Sequence, residues 1–397
     1  MTRVALFTDN DFEKVNGVTT TLKAVLRCAP ADIDARLHTM SDCAVATDQY
    51  VASRSVGLGL PRYPQMKIYW PRLGPLSRAM SRDRADVVHL TTPGPVGLAA
   101  RWLAGRHRQP MVGSFHTNLG DYARALGGRS ALGRGVGRGL DDYMRWLYGA
   151  CDRVLVPSAN TRHALIEHGY DPRRLSVWSR GVDAKRFSPA RRSDALRRTW
   201  QAGPDTPVLL YAGRLSREKG LDRLMAITTD LAARRVDHKL VIAGDGPLLR
   251  ELRAGLPSAI FCGEIPHVDM GTVMASADVF VFPSDTDTFG NVVLEAQACG
   301  LPAVVSAEGG PKEAICDGIT GFAIAVDHEE LWSRRVASLL RNTELRQQFA
   351  VDARERAASR DWHQTLAPLY QEWRDAAARA RVTNHIAFRP ATAARLS

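Results

Sequence analysis

Long apolar stretches are missing from this 397-residue chain. No uninterrupted run approaches the ~18 residues that a membrane-crossing helix needs, so a membrane-spanning protein is not expected. The opening MTRVALFTDN runs straight into a strand pattern and is too short in apolar residues for a secretory signal, which points to the cytoplasm. Paired cysteines are also missing. Six are scattered at 28, 43, 151, 262, 299 and 316 with no C-x-x-C spacing, which argues against a zinc ribbon or a disulfide framework and for reduced thiols. Lysine is scarce as well: only seven of the 53 basic residues are lysine, so the net charge of +11 is carried by arginine. Such an excess suits anionic partners. No nucleic-acid motif and no basic helix with a heptad seam accompany it, so a nucleic-acid partner is not expected.

What is present is a rhythm of strands and helices in two halves, too long for one core and suited to two domains. In the first half, strands fit 3–9, 35–40, 86–91, 110–116, 153–158 and 175–178, with helices from Gly17, Pro95, about Leu119, and Asn160. The Pro- and Arg-rich region 42–75 reads as irregular, and the glycine-rich 133–139 as a flexible loop that fits no dinucleotide fingerprint. In the second half, strands fit 208–213, 239–243, 259–262, 278–282, 303–306 and 321–325. Helices fit 221–235, 247–255, 267–276, 290–299, 311–316 and 328–357. Each half is a βαβ series, which implies an α/β fold with parallel sheets covered on both faces. The expected division is a first domain over 1–185, a polar, proline-punctuated linker over 186–206 and a second domain over 207–358. A last helix follows over 359–382, then a mobile tail over 383–397. In that helix Trp362, Leu366, Leu369, Tyr370 and Trp373 form one apolar stripe, which must bury against something.

Two loops carry the chemistry. The stretch PSDTDTFGNVVLEAQACGLP at 283–302 follows a buried strand pattern and opens a helix at Gly290. Free N–H groups of a first helical turn, with the positive end of its dipole, hold anions. Asp287 in the loop and Glu295 in the helix bracket those amides with carboxylates that grip hydroxyls, a combination suited to a nucleotide-sugar. The stretch GRLSREKG at 213–220 follows another strand and brings Arg214 and Lys219 toward one diphosphate, with Gly220 allowing close backbone approach. Doubly wound domains place a ligand at the strand C-termini, and both loops fall there, as do Asp9, Gly17, His89 and His116 of the first half. His89 reads equally as a packed strand histidine.

These residues, with VNGV at 15–18, SFHTN at 114–118, RGVD at 180–183, GDGP at 244–247, Ala277-Asp278 and GGPKE at 309–313, resemble the retaining GT-B glycosyltransferases marked by E-x7-E. The resemblance covers nearly the whole chain. One departure is that the first acid of the pair is Asp287, shorter by one methylene. The resemblance implies two Rossmann-like domains facing a central cleft. It also implies that Arg214 and Lys219 bind the donor diphosphate and that Glu295 holds the ribose. Asp287 and the backbone at Phe289 and Gly290 meet the donor sugar, with the neighbouring amide at Asn291 on phosphate. Gly17 approaches the diphosphate from the first domain, His116 lies beside the reacting sugar, and the last helix crosses back to the first domain.

The motif wording is closest to GDP-mannose-dependent α-mannosyltransferases acting on a lipid or glycan acceptor. A UDP-sugar-dependent glucosyl or sulfoquinovosyl diacylglycerol transferase, a nucleotide-sugar epimerase and a non-catalytic sensor stand as alternatives. No cofactor or metal is expected, because Asp285-Thr-Asp287 reads as D-x-D only by coincidence inside the signature frame. Residues 101–153 hold nine arginines against four acids with Trp102, Tyr143 and Trp146 interleaved. That is either a solvated basic face or a surface for an anionic membrane, peripheral on its inner face.

Overall fold

The computed structural model describes residues 1–12, 16–60, 63–120, 123–124 and 131–387. Val15 of the VNGV motif, much of the stretch after Leu119, and tail residues 388–397 lie outside the described residues.

The first half builds β1 (Thr2–Phe7), α1 (Gly17–Arg27), β2 (Ile33–Ser41), β3 (Val45–Ala46), β4 (Tyr50–Arg54), β5 (Gly57–Leu60), β6 (Tyr63–Tyr69) and α2 (Leu73–Asp83). It continues with β7 (Val87–Leu90), α3 (Pro95–His107), β8 (Met111–Ser114), α4 (Ala131–Tyr148), β9 (Arg153–Val156), α5 (Ala159–Glu167) and β10 (Leu175–Val177). The sheet order is β10-β9-β8-β7-β1-β2-β4-β3, parallel except for β3 against β4. The second half builds α6 (Asp194–Thr199), β11 (Val208–Ala212), α7 (Leu221–Ala233), β12 (Lys239–Ala243), α8 (Leu249–Gly255), β13 (Ile260–Gly263), α9 (His267–Ala275) and β14 (Val279–Phe282). It ends with α10 (Asn291–Ala298), β15 (Ala303–Ser306), β16 (Gly321–Ile324), α11 (Glu329–Arg341), α12 (Thr343–Ala358) and α13 (Trp362–Ala387). Its sheet runs β13-β12-β11-β14-β15-β16, all parallel. The strands β11 and β14 are buried along their whole length, as strands covered on both faces must be. In each sheet the strand order reverses once beside the first strand, between β1 and β7 and between β11 and β14. A ligand crevice opens at such a switch point.

Several elements differ from the sequence reading. Region 42–75 is not irregular: β4 pairs parallel with β2, β5 and β6 form a hairpin, and α2 follows. Its prolines and arginines obscure short strands that pairing stabilises. Residues 133–139 are helical, within α4. Gly133 and Gly137 lie on its buried face, followed at helical spacing by Met144 and Leu147. A buried stripe there outweighs the ~1 kcal/mol that each helical glycine costs. The helix expected over 328–357 is two, broken at Asn342, whose side chain accepts from the Leu345 amide as an N-cap. The helix expected at 311–316 is a short 3-10 turn, Pro311–Ala314. The stretch read as a linker packs onto the second domain: Phe187, Trp200 and Ala202 join its core, and buried Arg197 pairs with Asp278 at 2.9 Å.

The last helix, α13, packs against the first domain and runs on to Ala387. Trp362, Leu366, Leu369, Tyr370, Trp373, Ala376 and Ala377 share a core with Val4, Leu6 and Leu22 of the first domain. The Tyr370 hydroxyl donates to the Val25 carbonyl at 2.8 Å, and Trp373 Nε1 donates to His89 Nδ1 at 2.9 Å. That bond leaves the His89 proton on Nε2, which faces Ser114 Oγ at 2.6 Å. His89 is therefore a packed strand histidine, holding α13 in place.

Burial drives the His89 pKa down to about 3. The unfolded chain protonates near the ordinary 6.5, so stability falls as pH drops from 6.5 toward 3, by up to about 1.4 kcal/mol per pH unit from this group. Urea unfolding across that window is expected to show a shallower decline in His89→Gln than in the wild type. Parallel slopes would refute a buried neutral His89.

Candidate functional site

The site grows from two loops held backbone to backbone. Gly220 ends the turn after β11 with φ 67°, and a Cβ there would lie 2.3 Å from the Pro283 carbonyl oxygen, so only glycine lets the loops meet. Ser284 Oγ and Thr286 Oγ1 both donate to the Glu218 carbonyl, at 3.1 and 3.0 Å, and Arg223 donates to the Pro283 carbonyl at 2.7 Å. This stitching sets Lys219 Nζ 2.8 Å from both carboxylate oxygens of Asp287. Arg214 lies on the same loop, its carbonyl accepting from the Tyr211 hydroxyl at 3.0 Å.

Gly290 opens α10 with φ 76°, which favours glycine. The first-turn amides of a helix have no intrahelical acceptor, and those of Phe289, Gly290 and Asn291 donate to no acceptor among the described residues. The Phe289 side chain is buried in the core, so only its backbone is available. Asn291 Nδ2 donates to the Gly17 carbonyl across the cleft at 3.2 Å. Among the described residues a Cβ on Gly17 would meet only that side chain, at an ordinary 3.5 Å. Asn16 caps α1 there, accepting from Val18 and Thr19.

His116 is buried. Its Nδ1 accepts from Arg180 at 2.8 Å, which leaves the proton on Nε2, and Nε2 has no hydrogen-bond partner among the described residues. Burial first, then the Arg180 charge, holds its pKa well below 6.5, so the ring is neutral at physiological pH. Arg180 is itself buried, its pKa brought down to about 9 by desolvation, and it stacks on Trp178 with 4.6 Å to the ring centre. Asp9 lies elsewhere: its carboxylate accepts from Thr92 and from the amides of Gly94 and Val96, at the start of α3. Burial raises its pKa against those bonds.

Between α1 and α10 lies a cleft of about 230 Å³ lined by Thr19, Thr20, Lys23, Arg186, His267 and Glu295, among others. Glu295 Oε1 is 3.1 Å from His267 Nε2. Among the described residues no three metal-binding side chains gather, and Asp287 is turned to Lys219.

Other residues at the site escaped the sequence reading as site residues. Thr288 Oγ1 donates to the His116 carbonyl at 2.9 Å. Glu313 accepts from the Ala159 and Asn160 amides at 3.0 and 2.6 Å, and Asn160 Nδ2 donates to the Gly309 carbonyl. Glu313 was legible as part of GGPKE, but its partner in the other domain was not. His267 gave no signal beyond a histidine after a proline.

The description "Glycosyltransferase Family 4" matches residues 15–186, and "Glycosyl transferases group 1" matches residues 193–356. The chain is 31% identical to the GDP-mannose-dependent alpha-mannosyltransferase of Mycobacterium tuberculosis, over 91% of this chain and 93% of that protein. The chain belongs to the group 1 glycosyltransferases. This glycosyltransferase is also 32% identical to the sulfoquinovosyl transferase SQD2 of Arabidopsis thaliana, over 76% of this chain and 61% of that one. Anabaena HepE, solved in complex with UDP and glucose, superposes with a TM-score of 0.75 at 17% identity, covering 94% of this chain and 100% of that chain. The fold of this glycosyltransferase is GT-B.

The Glu313 carboxylate ties the second domain to the N-terminus of α5, where a negative charge is favoured. Glu313→Ala is expected to speed hydrogen exchange of the Ala159 and Asn160 amides about tenfold or more, the loss of a charge-assisted bond worth about 1.5–3 kcal/mol. Unchanged exchange at both amides would show that the tie does not form in solution.

Proposed function

We propose that this glycosyltransferase moves a mannosyl group from GDP-mannose to a hydroxyl of a lipid or glycan acceptor, with retention of anomeric configuration. The observation that carries the chemistry is the Lys219–Asp287 pair beside the open amides of α10. Breaking a sugar–phosphate bond places negative charge on the leaving diphosphate. Lys219, Arg214 and the Phe289–Asn291 amides offer fixed positive charge and dipoles to it, and such preorganised donors are each worth about 10²–10³ in rate. Arrival of the diphosphate draws Lys219 away and releases Asp287 toward the sugar hydroxyls. The His116 Nε2–H, without a partner among the described residues, donates to a sugar oxygen, and Glu295 accepts from the ribose. Gly17 leaves room for the diphosphate from the first domain. Among the described residues no carboxylate is clearly placed as a covalent nucleophile. The acceptor hydroxyl attacks on the face the phosphate leaves, its oxygen forming the new glycosidic bond, and the departing phosphate oxygen takes the proton.

Mannose is favoured by the match to a named mannosyltransferase along nearly the whole chain. A second reading, transfer of sulfoquinovose to diacylglycerol, is favoured by the likeness to SQD2. Membership of a transferase family sets aside the epimerase and the sensor. Thermal-shift screening with GDP-mannose, UDP-glucose, UDP-N-acetylglucosamine and UDP-sulfoquinovose comes first, since a bound donor stabilises the native state. The largest shift is expected with GDP-mannose. Turnover is expected to be undiminished in excess EDTA, to give an α-product, and to fall about 10²–10³-fold in Lys219→Ala. A shift with UDP-sulfoquinovose alone would transfer the assignment to the second reading. An inverted product or a Mn²⁺ requirement would overturn the mechanism.

No described helix is long and apolar enough to cross a membrane. A lipid acceptor then requires the enzyme to visit a bilayer from the cytoplasmic side. The basic face of α3 and α4 supports this, with Trp102 and Trp146 each 52% exposed and Arg101 stacked 4.1 Å over Trp146. The adjoining hairpin exposes Leu58, and Trp70 follows it, also exposed. Sedimentation with phosphatidylglycerol-containing vesicles, but not with neutral ones, is expected, and a Trp102→Ala/Trp146→Ala double variant is expected to remain in the supernatant. Equal binding to both vesicle types would remove the membrane surface.

A further inference from the structure

The segment joining the domains carries two arginines that reach opposite ways. Arg180 bonds His116 in the first domain, and Arg186 bonds His267 in the second. The second contact continues into the cleft. Arg186 donates from Nη1 to His267 Nδ1 at 2.8 Å, and a guanidinium has only donors to offer. Nδ1 therefore carries a lone pair, and the ring proton sits on Nε2. That nitrogen lies 3.1 Å from Glu295 Oε1, so the ring donates to the carboxylate. Glu295 Oε2 has no protein partner among the described residues.

The ring is fixed by more than its bonds. Phe187 packs edge-on to it with centroids 5.4 Å apart. A Cβ at Gly271 would lie 2.1 Å from the Arg186 carbonyl oxygen, so α9 lies directly against the connecting backbone. His267 is thus boxed between Arg186, Phe187 and its own helix.

We infer that His267, with its tautomer set by Arg186, is a positioning residue that pins one oxygen of Glu295 so that the other accepts the ribose hydroxyls of the donor nucleotide. This rests on the reading of Glu295 as the ribose-binding group. The pin does two things. It removes the rotamer freedom of a long acidic side chain before the ligand arrives, so less ordering is needed on binding. It also makes ribose recognition depend on the geometry of the interdomain connection, because Arg186 belongs to that connection.

The test is calorimetric titration with GDP, or UDP where that is the nucleotide bound, against the 2′,3′-dideoxy form of the same nucleotide. The wild type is expected to prefer the ribose form by about tenfold or more, the worth of a charge-assisted hydrogen bond. His267→Ala is expected to reduce that preference below about threefold, and His267→Gln, whose amide still donates, to keep it. Arg186→Met is expected to act like His267→Ala, and Arg186→Lys to restore the preference, since lysine also only donates. In the wild type, nitrogen-15 NMR of His267 is expected to place its proton on Nε2, a reading that needs no variant to fold. A His267→Ala protein with the wild-type preference, or a wild-type ring protonated on Nδ1, would overturn the inference while leaving Glu295 in place. A wild type indifferent to the ribose hydroxyls would overturn the ribose reading of Glu295 itself, and this inference with it.

Discussion

The backbone contact between Gly220 and Pro283 is the constraint on which the rest of the cleft depends. Two loops that leave neighbouring strands, β11 and β14, would ordinarily be kept apart by side chains. Here one lacks a Cβ, and the other offers a carbonyl to the gap. Two hydroxyls of the second loop then bond one carbonyl of the first. Because the contact is made by main chain, the positions of Lys219 and Asp287 follow from the fold rather than from their own pairing. A lysine and a carboxylate 2.8 Å apart and only partly buried would contribute little by themselves. Fixed by the loops beneath them, they are held in place before any ligand arrives, which is the preorganisation that the proposed diphosphate site calls for.

Much of this was legible in the sequence. The strands of the second domain are continuous apolar runs bounded by glycine or proline, so 239–243 and 303–306 match β12 and β15 residue for residue. The D-x7-E frame and the GRLSREKG loop named their own neighbours. What stayed hidden has physical reasons. α4 carries glycines on its inward face, where propensity argues against a helix and packing decides for one. β4 is held by pairing with β2, which no local pattern announces. His267 and Arg186 are 81 positions apart in the chain, and Glu313 and Asn160 are 153 apart. Single residues with distant partners leave no periodicity to read.

The two domains are joined by more than proximity. Thr288, Asn291 and Glu313 each bond the first domain, and each belongs to, or lies next to, a loop that also holds the candidate site. A movement that opens the cleft therefore breaks bonds at the site's own rim. His116 shows the same economy: its carbonyl receives Thr288 while its ring receives Arg180 from the connecting segment. Site geometry and domain arrangement are in this sense one property.

The chain passes between its domains twice, and the two passages lie side by side: the Val182 amide donates to the Arg360 carbonyl at 2.9 Å just before α13 turns back over the first sheet. A door hung on two adjacent pins swings but does not twist. The same arrangement means that the halves are not interchangeable cassettes. A chimera that exchanges the second half along with its C-terminal end would graft a foreign α13 onto the native first domain, and His89 would have no Trp373 made to bond it. Recombination between such enzymes has to leave 362–387 with the first half, although those residues follow the second domain in the chain.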